Sequence, residues 1–208
     1  TRGASASSSN MVVQLTDEVQ WINPCFDMGD QHIHTSVYVI TPDDGPNIAV
    51  DSGATEHREQ IMAGVEEATD GEGIDKLILT HHDLPHSGNA HQLMDAWGEV
   101  EVISPAVIAD TNSIPPWGLG SRQLRVAETM EVAGRVIEGV EPPLMDRTHT
   151  CWVYDQESGV LFTADGFGNY HDPIDCDATA AGVTDGISVQ SIEDFHHDRL
   201  PWLRYNVR

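Results

Sequence analysis

Apolar and polar residues alternate with a period of two along several short stretches of this chain, which is the mark of half-buried strands. Met11–Leu15 and Val19–Ile22 predict two strands across the turn Thr16–Asp17–Glu18. Asn23–Asp30 reads as a loop, and His32 and His34 lead into Thr35–Ile40, where the alternation is strongest. The turn chemistry of Pro42–Pro46 folds the chain back into a return strand, Asn47–Val50, which closes at Asp51–Ser52–Gly53. Thr55, a capping type, opens a helix through Ala68, with Glu56 and Glu59 near its positive end and Gly71–Gly73 beyond it. Leu77–Ile78–Leu79 is a buried strand, Asn89–Trp97 a helix, Glu99–Ile103 a strand and Pro105–Thr111 a short helix. Three short strands follow, Gln123–Val126, Met130–Val132 and Arg135–Gly139, then a hairpin of Cys151–Tyr154 and Val160–Thr163. A polar stretch, Phe167–Gly186, precedes a last helix, Ile187–Arg199. The order predicts an α+β fold with sheets inside and helices outside.

One loop in this pattern carries concentrated chemistry. The strand Leu77–Leu79 ends at Thr80 and delivers His81, His82, Asp83 and His86 before Ser87 and Gly88 open a helix. Four imidazole and carboxylate groups at the end of a buried strand point to a divalent cation or iron. A second loop, Pro142–Thr150, carries Asp146 and His149, and the hairpin that follows ends at Ala164–Asp165–Gly166.

Charge narrows the partners. The chain of 208 residues holds 34 acidic and 10 basic residues, for a formal net charge of −24, and Lys76 is its one lysine. Such a surface repels nucleic acid and anionic membranes, and it suits a protein of a high-salt cytoplasm, where screening removes self-repulsion. Thr1–Asn10 reads as a flexible polar segment, and residues 11–208 as a single domain. Cys25, Cys151 and Cys176 are odd in number and lack C-x-x-C spacing, which supports neither a disulfide framework nor a structural zinc site.

The motifs resemble the metallo-β-lactamase fold family, and within it the β-lactamase-like domain of flavodiiron proteins. The resemblance is carried by T-H-H-D-L-P-H-S-G at Thr80–Gly88, P-L-M-D-R-T-H at Pro143–His149 and L-F-T-A-D-G-F-G at Leu161–Gly168. The strands at Val37–Ile40 and Ala49–Ser52 match the family's early hairpin, so the similarity runs from Val12 to Asp165. It implies an αββα sandwich, here with a short C-terminal part.

Carried over position by position, the resemblance implies metal ligation by His81, Asp83, His86, Asp146, His149 and Asp165. Asp83 stands where the family has His, or Glu in flavodiiron proteins, and Asp146 where a ligand His is expected, with His149 three places on. Pro85 takes the place of an Asp that holds a second metal, and its side chain has no donor. The family's last ligand His falls past Arg208, leaving His171, His196 and His197 as substitutes. One divalent ion (iron, zinc or manganese) is therefore expected, or two if a homo-oligomer or partner chain supplies donors.

Three functions follow from the resemblance. The first is hydrolysis of an unknown small-molecule ester, lactone, amide or phosphoester by a metal-activated water, with Asp165 and Asp83 as catalytic groups orienting that water. The second is a non-catalytic binding or assembly subunit with a degenerate site. The third is flavodiiron-like reduction of oxygen or nitric oxide, which needs two irons and an external electron donor, since no flavin-binding segment is evident. Trp97, Trp117, Trp152, Trp202 and Met145 read as packing residues, Trp117 also as a substrate wall, and His32 and His34 as structural. Asp51 is expected at a strand end beneath the cleft.

Overall fold

The computed structural model of the chain describes residues 12–105, 122–143, 149–183 and 186–202. Its first sheet begins with an antiparallel run: β1 (Val12–Gln14), β2 (Val19–Ile22), β5 (Val37–Ile40) and β6 (Ile48–Val50). It continues in parallel through β7 (Lys76–Ile78), β8 (Glu101–Ser104) and β9 (Arg122–Gln123). The second sheet is an antiparallel meander of β10 (Thr129–Val132), β11 (Arg135–Val140), β12 (Trp152–Asp155) and β13 (Val160–Phe162). A separate hairpin pairs β3 (Cys25–Asp27) with β4 (His32–His34). The helices are α1 (Arg58–Ala68), α2 (Leu84–Ser87), α3 (Ala90–Trp97) and α4 (Val189–Arg199).

The period-two pattern sorts the first sheet onto two cores. Val37, Val39, Ala49, Leu77 and Leu79 pack with Ile61 and Val65 of α1 and Leu93 of α3. Their alternates, Ile40, Ile48, Val50 and Ile78, pack instead with Ile137, Val153 and Phe162 of the second sheet. A central strand with both faces covered must be apolar on both, which is why Leu77–Ile78–Leu79 shows no alternation. Each such side chain contributes about 1.5–3 kcal/mol on burial. The layered α+β sandwich expected from the sequence is the one observed.

Several local expectations shift. Asn23–Asp30 is not all loop: Cys25, Phe26 and Asp27 pair with His34, Ile33 and His32. The turn between them is closed by Met28 N–H to Gln31 O at 2.9 Å and by Gly29, whose φ of +101° suits glycine. Thr55 does not cap α1; its hydroxyl donates to Glu56, and a 3₁₀ turn over Thr55–His57 leads into the helix. The helix expected from Ser87 starts earlier, at Leu84, so His86 lies inside α2. Gln123–Val126 shortens to Arg122–Gln123, paired with Ile103 and Ser104. The helix expected at Pro105–Thr111 lies, beyond Pro105, outside the described residues, as does the segment Thr1–Asn10.

Candidate metal centre

The centre forms where β6 and β7 end side by side, at the carboxyl edge of the parallel strands, where side chains and loops converge in open α/β sheets. Val50 is in register with Ile78, and Asp51 N–H donates to Ile78 O at 2.8 Å. Asp51, buried and at φ +60°, accepts from Thr80 N–H at 2.8 Å and from the Thr80 hydroxyl at 3.0 and 2.9 Å on its two oxygens. The other partner of this carboxylate is His86 Nδ1, at 2.8 Å. Asp51 thus sets the tautomer and direction of His86 from beneath.

The rest of α2 is held by the loop after Asp51. Ser52 N–H donates to His86 O at 2.6 Å, and Asn89 sends its amide to Ser52 O at 3.0 Å and Ala54 O at 2.8 Å. Gly88 is needed at this contact: a Cβ there would lie 2.8 Å from Gly53 O and 3.0 Å from Thr55 N. Asp165 arrives from the other sheet, on a 3₁₀ turn (Ala164–Phe167) just after β13.

His81, His86 and Asp165 converge: one donor atom from each lies within 4.8 Å of the others. His86 Nε2 stands 3.1 Å from Asp165 Oδ1 and His81 Nε2 3.6 Å from Asp165 Oδ2, with the two imidazole centroids 4.0 Å apart. Burial, aided by the neighbouring His86, lowers the His81 pKa to about 3, so this ring is neutral and its lone pair available at neutral pH. Burial alone would lower His86 as well, but the carboxylates of Asp51 and Asp165 outweigh it and raise the pKa well above the ordinary value. Two imidazoles and one carboxylate are a donor set that fits a divalent ion.

Among the described residues, the triplet does not include the other anticipated ligands Asp83 and His149. Asp83 lines the same cavity, half-buried, without joining the group. His149 is exposed, its ring 5.9 Å from that of His82. Asp146, Met145 and Trp117 lie outside the described residues. Pro85 is exposed on the cavity wall, where it offers no donor. His196 Nε2 lies 3.3 Å from the backbone oxygen of Asp165, placing α4 against the turn that carries the carboxylate. A cavity lined by His86 and Asp165 of the triplet, with His81 buried behind them, measures about 500 Å³ and is walled by Trp21, Phe26, His34, Phe167 and Phe195.

A family model described as the metallo-beta-lactamase superfamily matches residues 32–189. The chain belongs to that superfamily. Among curated relatives, a putative diflavin flavoprotein A 1 of Nostoc sp. strain PCC 7120 is 26% identical over 125 residues, covering 56% of this chain and 21% of the relative. Among solved structures, a flavoprotein of Thermotoga maritima superposes with a TM-score of 0.65 at 19% identity, covering 76% of this chain and 42% of that one. A mutant flavo di-iron protein of the same organism gives 0.72 at 16% identity, covering 91% and 49%. The flavodiiron protein of Giardia intestinalis gives 0.62 at 16%, covering 82% and 43%. The chain spans less than half the length of each of these relatives, and at such identities the structural likeness shows the fold alone.

The structure also brings together residues that sequence reasoning kept apart. Cys25 and Cys176, 151 positions apart, are joined as a disulfide with His32, His34 and His171 around it, whereas spacing supported neither a bridge nor a metal cluster. His171, a candidate substitute for the family's last ligand, sits with these cysteines and not with Asp165. The alternation Cys25-x-Asp27 and His32-x-His34 was a readable signal that these side chains share one face of a hairpin; the contribution of Cys176 was not readable from sequence.

Proposed function

We propose that this chain is a metal-dependent hydrolase holding one divalent ion on His81, His86 and Asp165. The carrying observation is the convergence of these three donors within 4.8 Å, two of which, His86 and Asp165, line a 500 Å³ cavity with aromatic walls. A fourth donor would come from Asp83, or from Asp146 or His149 of the loop after Pro142. When bound, the ion supplies Lewis acidity and makes water a better nucleophile at neutral pH. His81 contributes a neutral lone pair, and His86, fixed by Asp51, presents Nε2 toward the same point. Asp165 and Asp83 are the carboxylates that can orient an attacking water and accept its proton. The walls of Trp21, Phe26 and Phe167 suit the apolar part of an ester, lactone, amide or phosphoester.

The flavodiiron-like structural neighbours favour a second reading, reduction of oxygen or nitric oxide at two irons. It requires donors at the place of Pro85 from elsewhere, through a second copy or a partner chain, and an external electron donor.

Elemental analysis separates these readings. Protein purified without chelator in high salt, and kept oxidised, is expected to carry about one equivalent of zinc, manganese or iron and to hydrolyse a member of an ester, lactone, amide and phosphoester panel. Asp165→Ala is expected to lose both metal and turnover. Two irons with donor-dependent oxygen or nitric oxide consumption would favour the second reading. No metal at the triplet after reconstitution would refute both and leave a binding or assembly subunit.

A further inference from the structure

Away from the triplet, the β3–β4 hairpin gathers five sulfur and imidazole side chains that the reaction proposed above does not use. Period-two geometry places Cys25 opposite His34 and Asp27 opposite His32, all on one face of the hairpin. The segment from Asn169 to Cys176 lies against it, anchored by paired backbone bonds between His32 and His171, 2.8 Å from the His32 N–H and 3.0 Å from the His171 N–H. The Asn23 side-chain amide donates to Cys176 O at 3.0 Å, holding the other end. These hydrogen bonds fix the cluster from both sides without the sulfurs.

The donor atoms form two groups that share Cys25, one with His32 and Cys176 and one with His34 and His171, each within 4.8 Å of one another. His32 Nδ1 lies 3.4 Å from Cys25 Sγ and 3.0 Å from Cys176 Sγ. His171 Nε2 lies 3.3 Å from Cys25 Sγ and 3.7 Å from Cys176 Sγ. Each imidazole therefore addresses both sulfurs, which a disulfide alone does not require. With Zn–S near 2.3 Å and Zn–N near 2.0–2.1 Å, a tetrahedral site separates its sulfur and nitrogen ligands by about 3.5 Å. The observed separations bracket that value. Asp27 Oδ1 stands 3.7 Å from His32 Nε2, on the side of the ring away from the sulfurs, the position of a carboxylate that orients a ligating imidazole. His34 stacks on His171 with centroids 4.3 Å apart and completes a second group with Cys25.

We propose that Cys25, His32, His171 and Cys176 form a second, zinc-type metal site, open when both cysteines are reduced and closed by their disulfide. The inference is independent of the hydrolase reading and shares no ligand with the triplet. A dithiol reductant transfers two electrons and two protons to the Cys25–Cys176 bond and becomes a cyclic disulfide. The two thiols then release their protons as the ion binds both sulfurs. His34 and His171 also line the cavity that His86 and Asp165 face, so the ion fastens one cavity wall to the rest of the fold.

Cobalt(II) is the probe, because thiolate ligation gives it charge-transfer absorption and a tetrahedral site gives it intense visible bands. The full chain carrying Asp165→Ala removes the first site from the count. After dithiol treatment this variant is expected to bind one equivalent of cobalt with both signatures. Its untreated, oxidised form is expected to bind none, with Cys151 the one thiol that titrates after denaturation. Adding Cys176→Ser or His32→Ala should abolish or shift the bands. Zinc should displace the cobalt and protect Cys25 and Cys176 from alkylation. No thiolate-to-cobalt band in the reduced protein, or bands unchanged by both substitutions, overturns the site. Because reduced and oxidised protein share one sequence, misfolding of a substituted form leaves the comparison decisive.

Discussion

Asp51 shows how much a single residue can carry at this site. Its backbone is held at φ +60°, a conformation that costs a non-glycine residue about 1 kcal/mol. The return is a buried carboxylate that clamps Thr80 and aims His86. Asp51→Asn preserves size and tolerates the same backbone, yet removes the negative charge behind His86. Metal affinity at the triplet should fall about 10–100-fold, read by chelator competition, while the circular dichroism spectrum stays unchanged. Unaltered affinity would mean that His86 is oriented by packing alone.

Among the elements, the junction between α2 and the Asp51–Thr55 loop leaves no room for a side chain at Gly88. Gly88→Ala drives a methyl toward Gly53 O and Thr55 N, backbone atoms that cannot rotate away. Denaturant unfolding should show a loss of about 1–3 kcal/mol, together with weaker metal binding, because His86 shares the displaced helix. The sheets are tied by a second device. Arg135 of β11, 5% exposed, binds Asp155 of β12 at 3.1 and 2.7 Å and reaches Glu18, beside β2 of the other sheet, at 2.9 Å. Removing the guanidinium leaves Asp155 buried without its cation, so Arg135→Ala should destabilise the protein by about 3–5 kcal/mol. Burial alone would raise the Asp155 pKa, but the Arg135 and Ser158 hydrogen bonds outweigh it and lower the value. A folded value below the unfolded one means that this contribution is complete above about pH 4 and is lost as the pH falls through the folded pKa. Urea midpoints measured across the acid range should therefore fall in the wild type, and a flat profile would contradict the assignment.

For the whole molecule, charge is the dominant fact. A formal net charge of −24 on 208 residues sets carboxylates against one another. The described cations are largely engaged already, Lys76 and Arg122 with Glu101, Arg125 with Glu128 and Arg135 with Asp155. Excess repulsion is relieved by salt, since the screening length shrinks to about 3 Å at 1 M. The melting temperature should rise steadily from dilute buffer to molar potassium chloride. A protein equally stable and monodisperse in both would remove the case for a high-salt setting. No described helix is long and apolar enough to cross a membrane.

Local chemistry by itself determined most of the strands, the β3–β4 hairpin excepted, as well as the layers and half of the candidate centre. Leu77–Leu79 had to be a buried strand because no polar face interrupts it, and the residues that end such a strand are delivered together, as His81, Asp83 and His86 are. Asp165 was legible because its hairpin and turn carry their own short-range signals. Tertiary structure alone decided which of these groups meet: Asp165 reaches His81 and His86 only because two sheets pack face to face. It also decided the Cys25–Cys176 cluster. Sequence spacing reports contacts within one element, and a pair 151 residues apart becomes neighbours only through the hydrogen bonds that seat the Asn169–Cys176 segment on the β3–β4 hairpin.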